Sequence, residues 1–252
     1  MTINRQQRLR LMRARHNLQD TNEARMQRAV EAELNRAVKA AAAAYPAWMT
    51  AMPAHKKRIV ALMESEFRRV ALAGAKHGEA QVRKCHAVEI ERKLDTQEEL
   101  DGRITKWAKR HAAKKVQIAK TTQVRIRNAV TRGLGKNDPP KVIAQAICKE
   151  VGGMSVSRAQ NIARTETAAA MGHGEHMEME ATAAELGVDI RKTWTATEDE
   201  NTRETHSDAD GQTVPLDEPF TVGGAELMFP GDPDGPPEEI INCRCVAIHE
   251  VL

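Results

Sequence analysis

Two thiols, Cys243 and Cys245, flank Arg244, and two imidazoles lie to either side of them, His206 upstream and His249 downstream. Thiolate sulfur and neutral imidazole nitrogen are the donors that hold tetrahedral zinc, so His206, Cys243, Cys245 and His249 form a candidate Cys2His2 set. In an extended strand, residues two apart point the same way, which puts both sulfurs on one face. Their Cα atoms would lie about 6.5–7 Å apart, at the edge of what a disulfide tolerates, so a bridge is disfavoured. C-x-C is tighter than the usual C-x2–4-C zinc spacing, and His249 would sit about 13 Å along a strand from Cys245. His206, or Asp208 beside it, is the better-placed partner. The competing reading is a pair of buried thiols hydrogen-bonded around Arg244 without a metal. No cofactor is certain, but a structural zinc would supply the crosslink that a loop-rich module lacks.

The polar stretch carrying Arg203, Glu204, His206, Asp208 and Asp210 has the groups for general acid–base chemistry or for a metal-dependent nuclease. Turn and cap chemistry places the same residue types in loops. The expectation is therefore a chain that is not an enzyme, with a hydrolase or nuclease as the alternative.

The elements that must position these groups divide by charge. From Gly153 onward there are six Lys/Arg against twenty Asp/Glu, a net of −14, which leaves +17 for the residues before it although the whole chain is only +3. Opposite signs in two halves point to different partners. Between Asp101 and Asp138 no acid occurs, while Arg103, Lys106, Lys109, Arg110, Lys114, Lys115, Lys120, Arg125, Arg127, Arg132 and Lys136 do. Such a run is either a solvated helix face, a docking surface for acidic protein, or a phosphate-contacting surface for double-stranded DNA without base readout.

Helical spacing runs over Glu23–Ala44, through Val30, Leu34, Val38 and Ala41, and Pro46 stops it. A second pattern starts near Ala54 with Ile59, Met63, Phe67 and Val70, and Gly74 and Gly78 weaken or break it. A third carries Leu100, Ile104, Trp107, Val116, Ile126 and Val130. Pro139-Pro140 opens a short helix that ends at Gly152-Gly153, and Ser155 or Ser157 caps the next. This pair is an αα-hairpin or a DNA-reading helix-turn-helix. The later helix reaches Leu186 with an interruption at Gly172 and Gly174, then Val188–Thr195 and Cys245–His249 read as strands. Cys85 and Cys148 occupy apolar helical positions and are expected in the core. Four cysteines make no disulfide framework, no run of about 18 apolar residues occurs, and no secretory signal is expected. A reducing cytosol is the default compartment. The fold class is α+β overall, a long-helical N-terminal region followed by a small loop-rich α+β C-terminal domain. The basic arm covers 1–20 and the helical region 21–150.

The order Arg164-Thr165-Glu166-Thr167, Lys192-Thr-Trp194, Asp199 with Thr202-Arg203 and His206, Asp210-Gly211-Gln212, Asp217-Glu-Pro-Phe220, Pro230-Gly-Asp232-Pro and Asn242-Cys243-Arg244-Cys245 resembles the phage Mu F-like, or SPP1 gp7-like, head morphogenesis domain. The resemblance covers roughly Val151 to His249 and assigns 151–252 to that domain. It implies a minor capsid protein of a tailed bacteriophage, acting in head assembly and in DNA packaging or delivery. Its location would be the virion, near the portal vertex, and the host cytoplasm during assembly. Its partners would be the portal protein and other capsid components, with non-specific double-stranded DNA a further one and no membrane. The alternative becomes a hydrolase or nuclease at the head interior.

Overall fold

The computed structural model describes residues 3–43, 52–86, 94–136, 138–152 and 155–252. Six helices come first: α1 (Arg5–Ala43), α2 (Met52–His86), α3 (Leu94–Lys114), α4 (Val116–Gly135), α5 (Pro140–Gly152) and α6 (Ser155–Leu186). A small strand-rich part follows, with β1 (Ile190–Thr195), α7 (Glu204–Asp208), β2 (Thr213–Pro215), β3 (Phe220–Val222), β4 (Ala225–Leu227), α8 (Pro237–Ile240) and β5 (Val246–Val251). This is the long-helical region followed by a small loop-rich α+β part that the sequence predicts. No described helix is long and apolar enough to cross a membrane.

The chain forms two compact units, each built from separated segments. The first comprises Met1–Asn22, Phe67–Lys106 and Arg164–Leu252, the second Glu23–Glu66 and Trp107–Ala163. The sequence divisions at 20 and 150 are consecutive, whereas these units interleave. Residues 5–20, most of the basic arm, are helical. Along α1 the buried positions are Met12, Arg15, Gln19, Asn22, Met26, Val30, Glu33, Leu34, Ala37, Val38 and Ala41, a seam that advances mostly in steps of three and four. Its first half is polar, so hydrophobic spacing reveals the helix only from Met26 onward.

The second unit has its core in Val38, Ala41, Ile126, Ala129, Val130, Ile143 and Ile147. The long third pattern is two helices, broken at Lys115 (φ −80°, ψ 5°). Cys148 is exposed, not in the core, because its position on α5 faces away from Ile143 and Ile147. Pro46, Gly153 and the side chains of Cys85 and Ser155, to which the sequence assigns a helix stop, a helix end, a core position and a cap, lie outside the described residues.

In the first unit, β1 pairs antiparallel with β2 on one side and β5 on the other, in register Trp194 with Ala247 and Thr193 with Thr213. β3 and β4 form a separate hairpin through Gly223 and Gly224. Alternation along β5 divides the core. Ala247 joins Trp194, Phe220, Leu227, Cys243 and Cys245, while Val246 and Ile248 pack on Met12. The glycines expected to interrupt α2 and α6 instead let these helices approach. A Cβ on Gly174 would collide with the Ala71 carbonyl oxygen, and one on Gly74 with the Met171 carbonyl oxygen. Alanine favours a helix by about 1 kcal/mol over glycine. Gly174→Ala is nevertheless expected to lose about 1–3 kcal/mol by overpacking, measured as a shift in denaturant midpoint at constant slope. A stabilised variant would show that the helices do not touch there.

Candidate metal centre

The site is assembled by chain reversals on three sides of Trp194. Asn242 adopts a left-handed backbone (φ 59°), and its N–H donates to Thr165 Oγ1 on α6 at 3.1 Å. That turn aims Cys243 and Cys245 inward just before β5 begins. The expectation that both thiols share a side holds, but the cause is this turn and not a strand. His206 lies on α7, whose entry is pinned by Arg203 donating to the Ile241 carbonyl. Asp210 Oδ1 accepts the Ala196 N–H at 2.9 Å, and Gly211, at φ 81°, donates its N–H to the Trp194 carbonyl at 2.9 Å. Arg244 is ion-paired with Asp199, and its carbonyl accepts a hydrogen bond from His16 Nε2 of α1 at 2.8 Å. Arg164 and Glu166 lie on α6 beside Thr165, with Glu166 buried. Thr165, Trp194, Arg203, Asp210, Gly211 and Asn242 of that pattern therefore build the frame of the site.

His206, Cys243 and Cys245 are all buried, and their ligand atoms lie within 4.8 Å of one another. Among the described residues this is the group of such side chains that a metal ion would fit. His206 Nδ1 is 3.3 Å from Cys245 Sγ and 3.7 Å from Cys243 Sγ. Tetrahedral zinc, with its ordinary bonds to nitrogen and sulfur, separates those atoms by about 3.6 Å. Trp194 stands edge-on to the imidazole, with ring centroids 5.4 Å apart. Its buried indole Nε1 has no nitrogen or oxygen acceptor and favours the charged form of Cys245. A thiolate there would satisfy it.

Hydrogen bonding from Cys245 pulls the Cys243 thiol well below its ordinary range. His206 acts in the same direction against burial. The same contact pushes Cys245 up, so without a cation the two sulfurs hold one charge between them. Burial works to depress the His206 pKa, but its contact with Cys243 outweighs it and leaves the pKa raised. Soft sulfur donors, an imidazole and matching separations fit zinc.

His249 is not part of this cluster. It lies on the Cys245 side of β5 but four residues along, opposite Lys192. There it is buried near Glu175 and His176 of α6 and His77 of α2. Burial lowers its pKa to about 3. An unfolded His249 takes up a proton below its ordinary value near 6.5, whereas the folded one stays neutral until about pH 3. Stability is therefore complete above pH 6.5 and falls as the pH drops toward 3. On going from pH 7 to pH 5, the protein is expected to lose about 2 kcal/mol more than His249→Gln. Parallel unfolding curves at the two pH values would discard this assignment.

The cations of the basic run divide between the units, with Arg103 and Lys106 in the first and the others in the second. Arg103 is paired with Glu180. Lys106, Lys109, Arg110, Lys114, Lys120, Arg127 and Arg132 are exposed, and Lys115 and Arg125 half-buried. Glu239 contacts His206 although sequence reasoning did not single it out. The Pro236-Pro237-Glu-Glu stretch gives only a helix-start signal there.

Residues 120–248, which contain most of α4 together with His206, Cys243 and Cys245, match the family described as Phage Mu protein F like protein. The chain belongs to that family. Membership carries the family-level link to phage head morphogenesis. The Mu F-like chain is 36% identical over 126 residues to the NAD(+)--arginine ADP-ribosyltransferase EFV of Enterococcus faecalis (strain ATCC 700802 / V583), covering 50% of this chain and 25% of that protein. It is 29% identical over 151 residues to the uncharacterized protein YqbB of Bacillus subtilis (strain 168), covering 58% of this chain and 48% of that one. It thus spans a quarter and about half of the length of these two relatives. No solved structure matches it. The first relative corrects the expectation of a chain without catalysis. Half of this Mu F-like chain is shared with a protein named as an enzyme, and turn chemistry in the polar loop does not exclude a reaction.

Proposed function

We propose that the protein is a minor head component of a tailed phage, acting in head assembly and DNA packaging or delivery close to the portal vertex. The SPP1 gp7-like side of the resemblance belongs to this reading. In it the Cys/His module is crosslinked by zinc and makes assembly contacts with portal and capsid. The exposed cations of α3 and α4 lie against double-stranded DNA. The observation that carries the reading is the family match over residues 120–248, a span that joins basic α4 to the Cys/His frame. The test replaces Lys109, Arg110, Lys120 and Arg127 by Glu and measures both incorporation into particles and binding to duplex DNA across salt concentrations. Neutralising four phosphate contacts would flatten the log–log salt slope by about 3.6. An unchanged slope with normal particles would leave these cations as a solvated face.

A second reading is catalytic, and the match to the ADP-ribosyltransferase favours it. The reaction would move ADP-ribose from NAD+ to an arginine side chain, or to water, releasing nicotinamide. Purified full-length protein incubated with NAD+ and an arginine analogue would then release nicotinamide above the buffer rate. No release from folded protein would make the shared segment a module that this chain and the enzyme both carry.

A further inference from the structure

We infer that Glu239 is the positioning carboxylate of His206, fixing the tautomer that turns Nδ1 toward the two sulfurs; this rests on the zinc reading above. Glu239 is buried on α8, and its Oε2 lies 3.0 Å from His206 Nε2. The same oxygen accepts a hydrogen bond from Thr205 Oγ1 at 2.9 Å, so the carboxylate is held from a second direction. Space for it is made by Gly223 in the β3–β4 turn. At φ 57° a Cβ there would be strained and would collide with Glu239 Oε1.

A neutral imidazole carries one N–H and one lone pair. With the carboxylate at Nε2, that nitrogen donates its proton and the lone pair resides on Nδ1, the atom 3.3 and 3.7 Å from the sulfurs. The opposite tautomer would set a lone pair against a buried carboxylate and a proton against the metal position. An outer carboxylate of this kind also makes the imidazole a better donor. Glu239 lies across the ring from the sulfurs, so it acts through His206 and is not itself a ligand.

The test compares full-length protein with Glu239→Gln, Thr205→Val and His206→Ala. Cobalt(II) is titrated in while the thiolate charge-transfer and ligand-field bands are recorded, and zinc affinity is measured by competition with a chelator. Wild type is expected to bind one metal per chain, and His206→Ala to lose the tetrahedral spectrum. Glu239→Gln should weaken binding about 10–100-fold, with metal-free thermal unfolding unchanged. Thr205→Val removes only the second hydrogen bond on Oε2 and should weaken binding severalfold. It carries the test if Glu239→Gln does not fold. Wild-type affinity in both variants overturns the role of Glu239 while leaving the metal site intact. A wild-type protein that binds neither metal overturns the zinc reading itself.

Discussion

On the zinc reading, adding a chelator to the purified protein is expected to unfold the Cys/His module or to lower its melting temperature by about 8–16 °C. The size follows from linkage. Zinc at a thousand times its dissociation constant stabilises the folded form by about 4 kcal/mol, and in a unit of this size each kcal/mol moves the midpoint by about 2–4 °C. The module has a core of its own around Trp194, Phe220 and Leu227, so loss of metal loosens it without abolishing every contact. Cys243→Ser should reproduce the effect, and chelator should then do nothing more. The measurement is differential scanning calorimetry with elemental analysis of the same sample. If no zinc co-purifies and the midpoint ignores chelator, Cys243 and Cys245 are a hydrogen-bonded thiol pair beside His206.

The second large effect lies on α1. Arg15 and Glu175 are each almost wholly buried and paired at 3.2 Å, with Gln19 bonded to Arg15 and His77 to the same carboxylate. Burial alone would raise the Glu175 pKa, but Arg15 and then His77 hold it below the usual carboxylate range. Arg15→Ala leaves that charge under-compensated and should cost about 3–5 kcal/mol, a large share of a typical domain's stability. Replacing both partners together, as Arg15→Met with Glu175→Leu, should recover most of the loss. Urea unfolding of the cycle decides it, and a single-variant loss under about 1 kcal/mol would reduce the pair to a bystander.

What could be read from the sequence depended on whether a residue advertised its role by type. Cys243, Cys245 and His206 did so, because soft donors in a loop-rich stretch have few other uses. His249 shared the type but not the place, since β5 carries it four residues beyond Cys245 to Glu175 and His77. Glu239 was silent because a glutamate after two prolines looks like a helix start. The first half of α1 was silent for the opposite reason, its buried seam being Arg15, Gln19 and Asn22, which hydropathy counts as surface. Gly74 and Gly174 read in the sequence as helix breakers but admit close backbone contacts. A glycine that admits a neighbouring backbone and one that ends a helix are identical in sequence.

The joining of Met12 to Val246 and Ile248, with the Ile3 amide reaching Glu250 across 247 positions of chain, has a consequence for synthesis. A ribosome adding about 5–20 residues per second exposes that face of α1 for roughly ten to fifty seconds before β5 exists to cover it. During that interval the nascent helix shows Met12, Leu9 and Leu11 to whatever is nearby, and Cys243 and Cys245 have not yet met His206. Closure of this unit is thus a late event, and holding chaperones should raise the yield of folded chain more than slower heating or milder refolding would.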